Sequence, residues 1–317
     1  MRAVFQPLSP GGPRARLQIL IFHRVLREPD PLFPGEMDAA RFQRVCGWLR
    51  RWFNVLPLDA AVRRRANGTL PARAAAITFD DGYADNHDVA LPILQRHGLA
   101  ATFFIATGFL DGGRMWNDTL VEAVRGSPLE ALTLDGVGCF ALRDTASRQQ
   151  ALTALIQHAK YLPHSARLAF AGDVAQASQA ALPRDLMLRS QQVQQLAKGG
   201  MQIGAHTISH PILAQLSDAD AEREMAESRE TLQALLQAPV TLFAYPNGRP
   251  DTDYSARSVA LARGLGFEAA VTTAWGAASA ETDAFELPRF TPWDHGKLMF
   301  AQRLWRNLRS PEPARAR

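Results

Sequence analysis

The sequence predicts an α/β protein built on a distorted (β/α)7-type barrel, with a helical insertion between the third and fourth strands. Three observations carry this. Short apolar runs rich in β-branched and aromatic residues recur, each followed by a longer segment of helical periodicity, as a parallel sheet covered by helices requires. Polar residues gather at the C-terminal ends of those runs, the layout of a barrel whose site lies on that face. One stretch, 108–200, breaks the rhythm and far exceeds an ordinary connection of a few residues.

Seven runs serve as strands: 17–23, 75–79, 101–107, 201–205, 241–245, 268–273 and 286–291. Helices are readable at 38–53, 85–97, 189–198, 217–237 and 253–265, with another after Trp293. Ser217, followed by Asp218 and Asp220, places an N-cap and an acidic first turn where the helix dipole favours them. The strand ends deliver His23, Asp80 and Asp81, Thr107, His206 and His210, Tyr245 and Asn247, Thr272 and Thr273, and Arg289 to one rim. The 108–200 segment holds amphipathic pieces at 118–124 and 149–158 and reads as a helical lid inside a single catalytic domain spanning 1–317. Residues 294–317 form a basic C-terminal helix and tail, either docked on the barrel or lying on a membrane surface.

With 317 residues, 47% hydrophobic, 8% aromatic and 21% charged, the chain is globular rather than disordered, collagen-like or a small disulfide scaffold. Its 35 basic residues exceed 31 acidic ones too slightly to imply nucleic acid. Cys46 and Cys139 have neither metal-type nor CxxC spacing, so thiol chemistry is not expected. Residues 1–13 are rich in Pro and Gly and the first apolar run is short, unlike a secretory signal. No window approaches the ~20 apolar residues of a membrane span. A cytoplasmic location is expected.

The chemistry centres on two segments. Ile77-Thr78-Phe79-Asp80-Asp81-Gly82-Tyr83 puts two carboxylates at a strand end where glycine permits a sharp turn. Neighbouring side chains on a strand point oppositely, so such a turn can aim one carboxylate at a metal and leave the other free. Taken alone, it is equally a turn or helix cap. Ile203-Gly204-Ala205-His206-Thr207-Ile208-Ser209-His210-Pro211 places two histidines where one cation can bind both if the chain curls. Pro211 biases His210 out of the α region, so a loop is expected there. Alone, two such histidines are more often ordinary surface or packed residues. Two histidines plus a carboxylate, with open positions for water, make a hydrolytic site for Zn²⁺ or a similar ion.

TFDDGY, HTISHP and FAYPNG, in this order and spacing, resemble the polysaccharide deacetylase family with its NodB-homology domain, and FAYPNG is similar to the branch acting on N-acetylglucosamine-containing exopolysaccharides and related surface glycans. The resemblance runs from about Leu17 to Arg289. It implies Asp80 as general base and Asp81, His206 and His210 as ligands of a divalent metal, most expectedly Zn, with Co or Ni tolerated. It assigns stabilisation of the oxyanion to the backbone N–H of Tyr245, on a rim loop shared with Asn247.

Two departures stand out. Where many relatives carry an arginine that holds the base, this chain has Ala244, and Arg289 is the candidate replacement, a cation that would lower the pKa of Asp80 and orient it. The stretch that in many relatives supplies a late histidine as general acid reads Leu287-Pro288-Arg289-Phe290; His295 lies beyond the strand, and His23, at the end of the first strand, is the better candidate. In the lid, Trp116 is either a sugar-stacking indole or a core residue. The expected substrate is an N-acetylated sugar of a glycan pathway, either a soluble precursor or a lipid-linked glycan. Hydrolysis of another C–N bond, or glycan binding without chemistry, are the alternatives.

Overall fold

The structure, a computed structural model, describes residues 1–160 and 162–317. The chain divides into two compact units, Met1–Glu28 with Gly35–Leu110 and Leu188–Arg317, and Pro29–Pro34 with Asp111–Met187. In order it runs α1 (Arg2–Phe5), β1 (Gln18–Phe22), α2 (Ala39–Trp52), β2 (Asn54–Val55), α3 (Leu58–Ala66), β3 (Ala74–Phe79), α4 (Leu91–His97) and β4 (Thr102–Ile105). The second unit contributes α5 (Trp116–Gly126), β5 (Ala131–Leu134), β6 (Gly138–Ala141), α6 (Thr145–Lys160) and α7 (His164–Ser178). Then follow α8 (Ser190–Lys198), β7 (Gln202–Ala205), α9 (Asp218–Leu236), β8 (Leu242–Ala244), α10 (Ala256–Gly264), β9 (Ala269–Val271) and α11 (Lys297–Leu308).

The first unit is a curled parallel sheet in the order β1-β3-β4-β7-β8-β9, with β2 added beside β3. Because side chains alternate along a strand, each strand divides its residues between two apolar layers. Leu20, Phe22, Ile77, Phe79, Phe103 and Phe243 pack toward the helices. Leu17, Ile19, Ala76, Phe104, Leu242, Ala244 and Leu287 fill the opposite face. Both faces are covered, which is why these strands read as continuous apolar runs. Gly204 lies on the second face against Phe104: a Cβ there would sit 2.4 Å from the phenyl ring. Helix starts follow their sequence signals, Asp38 accepting from Arg41 N at 2.9 Å and Ser217 from Asp220 N at 3.2 Å.

The predicted seventh strand, 286–291, is irregular. Pro288 offers no N–H to a ladder, and the segment meets β9 through Val271 and Leu287 and β1 through Leu20 and Phe290 as isolated parallel bridges. It still closes the ring between last and first strands, with Leu287 N donating to Ala270 O at 3.0 Å and Phe290 N to Ile19 O at 2.7 Å.

The second unit differs from the helical insertion expected at 108–200. It is shorter, recruits Pro29–Pro34, and leaves α8 to the first unit. It also contains an antiparallel hairpin, β5–β6, whose alternation buries Leu132 and Leu134 and exposes Ala131 and Thr133. Arg125 forks onto Asp30 at 3.0 and 2.6 Å, tying Pro29–Pro34 to α5. Helix α11 buries Phe300, Leu304 and Leu308 and leaves Leu298 exposed. Among the described residues no helix is long and apolar enough to cross a membrane.

Candidate active site

Strand parity explains why Asp80 reaches the inner face of the sheet. It continues the series Ala74, Ala76, Thr78 on that face, while Phe79 turns toward the helices. Its N–H donates to Phe22 O at 2.9 Å, so it still lies in the sheet's hydrogen-bonding frame. By the same rule Arg289 shares its face with Leu287, and His206 with Gly204. The sequence therefore brings an acid, a cation and an imidazole together from three strand ends.

Arg289 is fully buried and grips Asp80 with both guanidinium arms, Nη1 to Oδ1 and Nη2 to Oδ2, each at 2.7 Å. Nε donates to Thr272 O at 2.7 Å and Nη1 also to Thr78 Oγ1 at 3.2 Å, so the planar fork is held from several sides. Burial works to raise the pKa of Asp80, but the charges of Arg289, His206 and His23 outweigh it and hold the carboxyl below its ordinary value.

After Asp80 the chain turns abruptly, with Asp81 at φ 76° and Gly82 at φ 90°. That left-handed conformation is unfavourable for aspartate, and such strain concentrates at functional sites. The turn aims Asp81 away from Arg289 and toward the histidines: Asp81 Oδ1 lies 3.4 Å from His206 Nε2 and 3.5 Å from His210 Nε2. The three donor atoms lie within 4.8 Å of one another. His206 Nδ1 sits 2.7 Å from Ala244 O, so it donates there and leaves Nε2 for a cation. Position 244 thus serves through its carbonyl. Burial alone would raise Asp81, yet the histidines pull it well below the ordinary carboxylate range. Burial draws His210 down to about 4, so this imidazole is neutral at pH 7. A carboxylate, two imidazoles whose Nε2 atoms face it and a second carboxylate alongside fit a divalent cation.

The loop between the histidines is held by a residue the sequence reading missed. Glu224, on α9, accepts from Ile208 N at 2.8 Å and Ser209 N at 2.9 Å through Oε2, and from Ser209 Oγ at 2.6 Å through Oε1. Thr207 and His210 adopt positive φ, 66° and 52°, and Glu224 braces the segment between them. Nothing in sequence separates this glutamate from its exposed neighbours on a charged helix.

His23 is exposed at the end of β1, and its charge bears on Asp80, Asp81 and His210. Its carbonyl accepts from Asn86 Nδ2 at 2.8 Å, and Asp85 accepts from Val25 N at 3.0 Å, so the segment after Tyr83 fixes this loop.

Tyr245 N–H, the expected oxyanion donor, donates to Val271 O at 3.2 Å within the sheet. Its ring follows the parity of Phe243, pointing to the helix side and stacking on Tyr254 at 4.1 Å. Asn247, exposed with φ 58°, carries the rim loop, and Thr273 Oγ1 donates to its carbonyl at 2.6 Å. Trp116 belongs to the second unit, partly buried against that unit's core with the Arg167 guanidinium 5.2 Å over its ring.

Comparison with known proteins adds the following. The profile of the family described as polysaccharide deacetylase matches residues 67–270. YxkH of Bacillus subtilis (strain 168), assigned to the same family by name, is 23% identical over 282 residues, covering 87% of this chain and 71% of that protein. The Streptococcus pyogenes deacetylase PplD, solved with acetate, aligns at TM-score 0.59 and 21% identity, covering 88% of this chain and 92% of its own. IcaB from Ammonifex degensii aligns at TM-score 0.59 and 17% identity, covering 93% and 97%. These structural likenesses are likenesses of fold.

Proposed function

The chain belongs to the polysaccharide deacetylase family, and on that premise we propose that it is a metal-dependent hydrolase removing N-acetyl groups from an N-acetylated glycan of the N-acetylglucosamine type. The observation that carries the reading is the pairing of two differently tuned carboxylates, Asp80 clamped by Arg289 and Asp81 facing His206 and His210.

In this reading Asp81, His206 and His210 hold the divalent cation, Zn before Co or Ni. Bound there, the cation supplies Lewis acidity, polarising the acetamide carbonyl and bringing the pKa of water to ~7. Asp80, kept ionised by Arg289, accepts the proton of the attacking water. It need not be a strong base, and its orientation is fixed before substrate arrives. His23, exposed at the end of β1 and outside the ligand set, protonates the leaving amine. Asn247, rather than the engaged Tyr245, supplies a rim donor toward the developing oxyanion. Water adds to the carbonyl carbon, the C–N bond breaks, and acetate and a free amine leave.

Chelator-stripped protein is expected to release no acetate from N-acetylated glycans and to recover on addition of Zn²⁺; undiminished release after verified metal removal contradicts the reading. Glu224→Gln is expected to weaken cation binding about tenfold, as loss of partners behind metal ligands commonly does. Titrating metal-free protein with Zn²⁺ measures this without reference to turnover, and unchanged affinity refutes the bracing role.

A further inference from the structure

Among the described residues seven large apolar side chains are exposed, and four of them gather in one place: Trp275 at 46%, Trp293 at 61%, Leu298 at 73% and Met299 at 58%. The two indoles lie with ring centroids 6.1 Å apart, and the Arg303 guanidinium sits 4.9 Å from the first ring and 5.7 Å from the second. Arg303 follows Met299 by four residues on α11, so the two share a helix face, and Leu298 and Met299 extend the indole pair across the first turn. A contiguous apolar patch of this kind marks a docking surface.

The patch is held rigidly. Phe300 packs on Trp48 at 5.6 Å and on Phe290 at 6.2 Å, and Leu304 and Leu308 are buried, so the apolar face of α11 is used inside the protein. The helix therefore does not lie on a bilayer as a free amphipathic helix does. Only its first turn and the loop before it are presented outward, with His295, Gly296 and Lys297 all exposed.

Charge indicates what covers this tip. From Trp293 to Arg309 the chain carries Lys297, Arg303, Arg306 and Arg309 against a single acid, Asp294. That acid is buried and faces Arg303 at 3.4 Å, so the exposed formal charge of the segment is all positive. Glu36, in the cleft that Trp293 also lines, is outnumbered by these cations. Indoles set among lysine and arginine are the composition of the boundary between a bilayer and water, and the basic groups match the phosphates of an anionic leaflet.

We infer that the tip formed by Trp275, Trp293, Leu298 and Met299 docks on the surface of an anionic phospholipid bilayer. Trp293 and His23 line the same cleft, so docking brings the mouth of the candidate active site to the lipid surface. The inference goes beyond the proposed reaction and does not depend on it, because it needs only the patch and its charge.

The test is co-sedimentation of the full chain with vesicles of phosphatidylcholine alone, or of phosphatidylcholine and phosphatidylglycerol in equal parts. Binding is expected to be about tenfold or more tighter to the anionic vesicles and to weaken as salt is raised, since each basic residue near the surface adds about fivefold in affinity until it is screened. Leu298→Ser/Met299→Ser should bind roughly tenfold more weakly, having lost the apolar contact. Lys297→Glu/Arg306→Glu should lose the preference for anionic vesicles. All four side chains are exposed, and circular dichroism checks that the helix persists. Brominated acyl chains should quench the indole emission, and Trp293→Phe should remove part of that quenching. Equal or absent binding to the two vesicles, absent quenching, or unchanged binding by the double serine variant overturns the inference. So does lipid-independent dimerisation that the serine variant abolishes, which would make the patch a contact between copies. Vesicle binding is read without substrate, so failure of the deacetylase reading leaves this result standing.

Discussion

Replacing Asp80 by asparagine is expected to lower the turnover of deacetylation by roughly 10²–10⁴-fold, the contribution of a positioned general base. Asparagine keeps the shape of the side chain and can still face Arg289, but it cannot accept the proton of the attacking water. Asp81 points the other way, to the histidines, so it cannot stand in. Zn²⁺ affinity should survive, because the ligand set is intact. Acetate release and metal titration on the same preparation separate the roles: lost turnover with retained binding is expected, and retained turnover would remove Asp80 from the mechanism.

The second large effect is on stability. Arg289→Met would leave the Asp80 carboxylate, 2% exposed, without its counter-charge. Breaking a buried pair by removing one partner typically costs about 3–5 kcal/mol, since the remaining charge keeps its desolvation penalty. Denaturant unfolding at neutral pH should show a loss of that size. The double variant Asp80→Asn/Arg289→Met should lose less than the sum of the single losses, because each deletion strands the other's partner. Arg289→Lys should not rescue activity, because one ammonium cannot reproduce two parallel bonds to Asp80 together with those to Thr272 and Thr78. Additive losses would mean the pair is energetically uncoupled.

Much of this arrangement is legible before any coordinates because two short-range rules act on it. Strand alternation carries Asp80, His206 and Arg289 to one face, and runs such as Ala74–Phe79 are apolar on both faces. The same alternation, applied to Phe243-Ala244-Tyr245, puts the tyrosine ring on the helix side, where it stacks on Tyr254. What stays hidden is long-range. Glu224 acts across sixteen positions from Ile208 to brace a loop, yet its local pattern is that of any solvated helix face. The hairpin at β5–β6 is short, and within a stretch dominated by helical periodicity its four-residue strands give little signal. The closing segment at 286–291 has a strand's composition but, at Pro288, not a strand's hydrogen-bonding capacity.

The most direct test of the central claim is to follow acetate and free amine together as Zn²⁺-loaded protein acts on an N-acetylated glucosamine oligomer and on its O-acetylated, N-free counterpart. The account predicts one new amine for every acetate from the first substrate. A folded, cation-loaded protein that releases no acetate from any N-acetylated glycan while hydrolysing a different amide would contradict it.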